Sequence, residues 1–585
     1  MTDTAATVRP WLDAALPVDE RVQLLLGAMS IEEKAGLLFH TMIAIGDLEE
    51  SDPTFATPSA REFLEGKRMT HFNLLGAAPT GREIAAWHNS LQRLAASTGL
   101  GIPVTLSTDP RHSFSENPGA SILAGPFSQW PETLGLAATR DEALVERFAD
   151  IARQEYTAVG LRVALHPQVD LATEPRWARQ TATFGEDAEL SGRLGAAYIR
   201  GFQGASFGPG SVSTMTKHFP GGGPQKDGED PHFSYGREQV YPGGEFELHL
   251  KPFEDALAAG TRQMMPYYGM PVGTEYEEVG FGFNKSVITG LLRERYGFDG
   301  VVCTDWGLIS DSEIFGQPFS ARAWGVEHLT PRERMKKVLD AGADQFGGEA
   351  NPELLLELVA DGEITEERLD VSARRILREK FELGLFENPF VDEDAADEIV
   401  GRADFRAAGE DAQRASITVL SNDGALPFAS GTKLYLEGID ADVAATFGEV
   451  VDTPAEADLA IIRLQAPFEE RATMFENFFH AGSLEFPAEL VAHVREVAHA
   501  VPTIVDVLAD RPPILTPIAE VAAAVTVNWG ASGAALLDVL SGAVEAHGRL
   551  PFDLPRSMAA VEASRPDVPF DTADPLFRFG HGLSL

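Results

Sequence analysis

Between residues 18 and 390 the chain alternates short apolar runs with longer stretches of helical period. Residues 19–29 (DERVQLLLGAM), 141–159 (DEALVERFADIARQEYTAV) and 330–341 (TPRERMKKVLDA) place apolar side chains every three to four positions and predict amphipathic helices. Residues 102–107 (IPVTLS), 161–165 (LRVAL), 262–267 (RQMMPY) and 299–304 (DGVVCT) are short and apolar and predict strands. Strands that alternate with helices read as βα units, hence a parallel sheet. Their number and the length of the region favour a (β/α)₈ TIM-like barrel over an open sheet, spanning residues 1–390. Residues 391–414 are acidic and polar and read as a connecting helix or linker. A second alternating block follows, with strands expected at 416–420, 433–437, 458–464, 503–508 and 521–528 and a helix at 488–500. It predicts a C-terminal α/β sandwich domain with an open sheet over residues 415–585.

Composition narrows the chemistry. The 585 residues carry 89 acidic and 47 basic side chains, a formal charge of -42, spread along the chain rather than gathered in a tail. Such a surface repels phosphate backbones and anionic headgroups, so nucleic acid and membrane are poor partners. The one cysteine, Cys303, excludes an intramolecular disulfide and a cysteine-based metal site, and its place in a Val-Val-Cys run predicts a small core residue. No apolar run reaches the length of a membrane span, and the first residues show no basic-then-apolar leader, so a cytoplasmic setting is the expectation.

In a parallel barrel, functional side chains stand where strands end. Polar clusters fall at several expected strand ends: Asp109 after PVTLST; Arg176, Trp177 and Arg179 in 170–187; Lys217 and His218 before three glycines; Tyr267 and Tyr268; and Asp305–Trp306 after the run GFDGVVC. Each has an ordinary explanation taken alone. Asp109 precedes a proline and suits a turn, and Asp305 suits a helix cap at a strand's end. The triple glycine lacks the Gly-Lys-Ser/Thr ending of a phosphate loop. Together, carboxylates, amines, an imidazole and indoles suit a polyhydroxylated ligand, because charged groups bond vicinal hydroxyls and indole faces stack on sugar rings.

The segments VDERVQLLLGAMSIEEKAGLL, PRWAR…FGED, KHFPGGGPQ, GFDGVVCTDWG, AGADQFGGE, SITVLSNDGALPF and GRLPFDL…FRFGHGLS make the sequence resemble glycoside hydrolase family 3 over nearly its whole length. The resemblance implies a retaining β-glycosidase, most simply an exo-acting β-glucosidase, with its active site between an N-terminal barrel and a C-terminal α/β sandwich. A β-xylosidase or β-N-acetylhexosaminidase on the same scaffold is the alternative, and a catalytically inactive sugar-binding protein is the alternative from another class. It implies Asp305 as the nucleophile, Trp306 as part of the sugar platform, and Asp109, Arg179, Lys217 and His218 as the residues that grip hydroxyls. Tyr268 matches the tyrosine that bonds the nucleophile, with Tyr267 as its substitute, and Arg176 reads as structural. Ala178 and Ala182 depart from the glycine and glutamate usual in that motif. No cofactor and no metal are implied. The expected partner is a small-molecule β-glycoside or oligosaccharide, and a homodimer stays open.

Retention requires a second carboxyl group about 5–5.5 Å from the first. In the family it comes from a variable loop of the second domain, here 463–486, which offers Glu469, Glu470, Glu476 and Glu485. Glu469 is the expected acid/base: it follows the strand closely, and neighbouring Phe468 would raise its pKa by desolvation. The rival is Asp230 with His232, in GEDPHF, which has the Asp-x-His spacing of the family's N-acetylglucosaminidase branch.

Overall fold

The computed structural model describes residues 9–53, 57–115, 123–314 and 316–585. Eight strands form the first sheet: β1 (Phe39–Ala44), β2 (His71–Leu75), β3 (Thr105–Thr108), β4 (Leu161–Ala164), β5 (Ser213–Phe219), β6 (Gln263–Pro266), β7 (Val301–Val302) and β8 (Phe346–Gly347). Every neighbouring pair is parallel, β8 returns to pair with β1, and a parallel bridge between Cys303 and Gln345 joins β7 to β8 and closes the cylinder. The predicted strands at 102–107, 161–165, 262–267 and 299–304 are β3, β4, β6 and β7. β3 starts later than its apolar run because Pro103 has no N–H to give a ladder. The barrel interior holds Val163, Leu165, Met215, Met265 and Cys303, all buried, with Trp306 packed on top. Cys303 is thus the small core residue its context predicts.

The second domain is a six-stranded sheet: β9 (Thr418–Asn422), β10 (Lys433–Glu437), β11 (Glu449–Val450), β12 (Leu459–Gln465), β13 (Thr503–Leu508) and β14 (Ala524–Asn528). Its order is β9-β14-β13-β12-β10-β11, parallel except for β9 against β14. Along β12, Ala460 and Ile462 face one hydrophobic layer while Leu459 and Ile461 face the other. Both faces are therefore covered, as a continuous apolar run requires in a parallel sheet. The helix Ala488–Ala500 covers one side and Gly533–Leu540 the other.

Residues 391–414, expected as a connecting helix or linker, are mostly helical. They fold into helices Glu393–Ile399 and Ala403–Ser416, fixed to the barrel by Asn89 Nδ2, which donates to Val391 O (2.9 Å) and Glu393 Oε1 (3.0 Å). A fully buried carboxylate, Glu155, accepts from Gly401 N (2.7 Å) and Ser128 Oγ (2.6 Å) and ties the same junction down.

Where the domains meet over the barrel's carboxyl rim, one guanidinium spans the seam. Arg511 is wholly buried and donates to Arg176 O (2.9 Å) in the barrel and to Pro467 O (2.6 Å) and Gly482 O (3.1 Å) at the two ends of a second-domain loop. Burial lowers its pKa to about 10, which leaves it charged at neutral pH. Arg511→Met would strand these carbonyls without donors, at a cost of about 3 kcal/mol. The expected result is a first thermal unfolding midpoint several degrees lower by calorimetry. An unchanged midpoint would mean that this arginine holds nothing together.

Candidate active site

No helix begins at Asp305, so its carboxylate caps nothing. β7 is followed by Cys303, and the next residues are seated by Gly347 of β8 and Gly348 beside it. Thr304 N donates to Gln345 O (3.0 Å), Thr304 Oγ1 accepts from Gly347 N (2.9 Å), and Gly307 N donates to Gly347 O (3.0 Å). A Cβ on Gly347 would overlap the Thr304 carbonyl, and one on Gly348, whose φ is +72°, would lie 2.8 Å from the Trp306 indole. Only the bare backbone lets the indole settle there, against the His40 ring at 5.3 Å. The amide of Trp306 donates to Asp305 Oδ1 (2.8 Å), which aims the carboxylate. Oδ2 is buried, accepts no hydrogen bond and lies 3.8 Å from His218 Nε2.

Asp305 and Trp306 line a cavity of about 280 Å³ at the barrel mouth, close to the lower end of small-molecule sites and suited to a single sugar ring. Asp109, Arg179, Lys217 and Tyr268 also line it. Lys217 Nζ donates to Asp109 Oδ1 at 2.6 Å. Tyr268 donates to Trp306 O (2.7 Å), and burial together with the charge of Asp305 keeps its phenol far above the ordinary range. Its neighbour Tyr267 points the other way, against His218 (ring centroids 4.6 Å) and Trp177, outside the cavity. Of the doublet, Tyr268 is the one that lines the cavity, although its hydroxyl bonds the Trp306 carbonyl and not Asp305.

His218 does not line the cavity as the sequence suggests; it is fully buried behind Asp305. Its Nδ1 lies 2.7 Å from Asp170 Oδ2, while Asp170 Oδ1 accepts from the amides of His218 (3.1 Å) and Gly222 (2.6 Å). Burial, Arg179 and Lys217 hold the imidazole pKa well below its ordinary value, so the ring is neutral and Nδ1–H donates to Asp170. Burial raises Asp170 to about 6 against those backbone donors. Asp170 anchors the Lys217–His218 strand end, and the sequence reading passed over it. Arg176 pairs with Glu174 (2.9 Å) away from the cavity.

The wall opposite the barrel floor carries none of the four candidate glutamates. Glu469 is exposed and folds back on its own loop, where its carboxylate accepts from Ser483 N (3.2 Å). Glu476 accepts from Thr473 N (2.9 Å) and Tyr235 OH (3.0 Å), and Glu470 and Glu485 are exposed; none of the four borders the cavity. The physical reason is the loop's composition. Phe475, Phe478 and Phe479 turn inward over the mouth, Glu469, Glu470 and Glu485 turn to water, and Glu476 is held by Thr473 and Tyr235.

The side chain beneath these phenylalanines is His232, which lines the cavity with its ring 4.5 Å from Phe479 and 4.6 Å from Tyr268. Asp230 Oδ1 lies 2.6 Å from His232 Nδ1 and accepts from the His232 amide at 2.9 Å. Burial pulls the His232 pKa below 6.5 although Asp230 opposes it. Burial also penalises the Asp230 carboxylate, but His232 and Arg179 outweigh that and lower its pKa. Arg322 completes the wall: it is buried, its guanidinium carbon 3.9 Å from the centre of the Phe319 ring. A lone arginine inside the apolar stretch ARAWG was the signal available for it. Among the described residues no group of His, Cys, Asp or Glu is arranged to hold a metal ion, and no helix is long and apolar enough to cross a membrane.

The model of the glycosyl hydrolase family 3 N-terminal domain matches residues 75–379, and that of the family's C-terminal domain matches residues 408–585. A probable β-glucosidase C of Aspergillus flavus is 54% identical over 98% of this chain and 91% of its own length. A periplasmic β-glucosidase/β-xylosidase of Dickeya chrysanthemi is 42% identical over 98% of this chain and 91% of its own. An exo-1,3/1,4-β-glucanase of Pseudoalteromonas superposes with a TM-score of 0.79 at 22% identity, over 98% of this chain and 96% of that one, and shares the fold. By both domain matches and by these relatives, the chain belongs to glycosyl hydrolase family 3.

Proposed function

We propose that this glycoside hydrolase is an exo-acting β-glucosidase that removes terminal nonreducing β-D-glucosyl residues by double displacement, with net retention. The observation that carries the proposal is the pairing, in one ring-sized cavity, of an aimed carboxylate, Asp305, with the Asp230–His232 dyad on the facing wall. The names of the Aspergillus and Dickeya relatives support the glucoside.

Asp305 Oδ2 attacks the anomeric carbon, forming a glycosyl-enzyme through an oxocarbenium-like transition state that the carboxylate first stabilises and then bonds. Asp109, Lys217 and Arg179 grip hydroxyls, and Trp306 underlies the ring. His232 takes the role expected of Glu469. As imidazolium it protonates the departing oxygen; as imidazole it then deprotonates the water that releases the sugar. Asp230 holds the Nδ1 proton and stabilises the imidazolium, which leaves Nε2 to face the substrate. A xyloside is the second reading, favoured by the double name of the Dickeya relative. Chromogenic β-glucoside, β-xyloside and N-acetyl-β-glucosaminide separate the three, with the glucoside expected to have the highest kcat/KM.

Asp305→Ala is expected to fold and to lose activity by several orders of magnitude, with a fluorinated glucoside trapping the wild-type enzyme on the peptide that contains TDWG. An adduct on another peptide would refute this nucleophile. His232→Ala should slow alkyl glucosides far more than nitrophenyl glucosides, about 10²–10⁴-fold, and azide should restore turnover of the latter. Glu469→Ala should behave as wild type, and the reverse pattern would return the acid/base role to the glutamate. The pH profile supplies a further check. His232 must be protonated to assist departure, and its pKa lies below 6.5. kcat/KM for an alkyl glucoside should therefore fall as pH rises through a value below 6.5, while that for a nitrophenyl glucoside persists to higher pH.

A further inference from the structure

A second cavity, about 380 Å³, opens beside the first. The two share Arg111, Tyr198 and Phe478 as well as Ala178, Thr181 and Ala182, so the sill between them mixes large side chains with small ones. Neither Asp305, His232 nor Tyr268 borders the second cavity. It opens beside the backbone that carries the gripping residues, where Arg111 Nε donates to Asp109 O (3.0 Å) and Ala178 precedes Arg179. That is the hydroxyl-gripping end, away from the anomeric carbon and the leaving group.

Its lining suits a sugar. Phe148 is among its walls, Tyr198 and Phe478 are shared with the first cavity, and Asp510 stands on the second-domain side. Asp510 Oδ2 is engaged by His480 Nδ1, whereas Oδ1 is buried without a hydrogen bond. A buried acceptor among aromatic rings is how a hydroxylated ring is held. A site restricted to an unsubstituted terminal glucose would close this end with bulk; alanines at 178 and 182 leave it open.

We infer that the second cavity binds a sugar attached to a hydroxyl of the terminal glucosyl residue remote from its anomeric carbon, so that the enzyme releases a substituted glucose intact. This rests on the β-glucosidase reading above. Three nitrophenyl β-glycosides test it: the glucoside, the isomaltoside, with an α-glucosyl group on the primary hydroxyl, and the maltoside, with that group on the ring hydroxyl across from the anomeric carbon. A β-glucosidase does not remove an α-linked sugar, so nitrophenol from either disaccharide reports departure of the whole unit.

The wild-type enzyme is expected to release nitrophenol and intact disaccharide from at least one of them, with kcat/KM within about tenfold of the glucoside. The responsive substrate identifies the hydroxyl. Ala182→Trp, which fills the sill, and Asp510→Ala, on the far wall, should each lower the disaccharide-to-glucoside ratio of kcat/KM by about tenfold. Cleavage of the glucoside with neither disaccharide cleaved overturns the inference and leaves the β-glucosidase reading standing. Cleavage of none of the three overturns both. Disaccharide cleavage with an unchanged ratio in both variants overturns the assignment to this cavity.

Discussion

The site exists because two domains are held in register by buried charge at their seam. The Arg511 guanidinium reaches a carbonyl of the barrel and carbonyls at both ends of the second-domain loop that carries Phe475, Phe478 and Phe479. Desolvating an arginine is expensive, and several backbone acceptors offset the expense only while they keep their places. Glu186 adds hydrogen bonds rather than charge from the barrel side, accepting from Asp553 N (2.6 Å) and Phe570 N (2.8 Å) of the second domain. Burial lifts its pKa to about 8, so the carboxyl is largely uncharged at neutral pH. Two domains that slid independently would lose the roof of the cavity, and His232 would lie open to solvent.

Much of the architecture is written in the chain's periodicity. Apolar runs of strand length between helical stretches mark the barrel and the covered sheet, and the polar residues after β5, β6 and β7 are where the cavity is. Asp305 was legible because a carboxylate behind a buried Val-Val-Cys run has few places to point. Which side chains of the second-domain loop face the cavity was not. A loop holding four glutamates and several phenylalanines has two ways to turn, and adjacency in sequence favoured Glu469 because Phe468 stands next to it. In the structure three half-buried phenylalanines of that loop line the cavity and Glu469 stays exposed, in keeping with the cost of leading an unpaired carboxylate into a desolvated space. The Tyr267–Tyr268 doublet was undecidable for a simpler reason: successive residues leave an extended backbone on opposite sides, and register fixes which one faces in. Asp170 and Arg322 act through packing that no spacing rule reveals.

The balance of charge inside the cavity completes the argument. The surface is strongly acidic, yet the lining groups are mixed: Asp109, Asp230 and Asp305 stand beside or among Lys217, Arg179 and Arg322. A cavity made for an anion would keep its cations unpaired, whereas here Lys217 is bonded to Asp109 and the charge of Arg179 is shared by Asp230, Asp305 and Asp109. Near-neutral balance in a desolvated space suits a neutral, hydroxyl-rich ligand, whose bonds strengthen in a low dielectric without the cost of burying a net charge. The exterior charge therefore contributes solubility rather than steering, and selectivity is left to shape: the ring-sized chamber over Trp306, the phenylalanines above it, and the opening past Ala178 and Ala182.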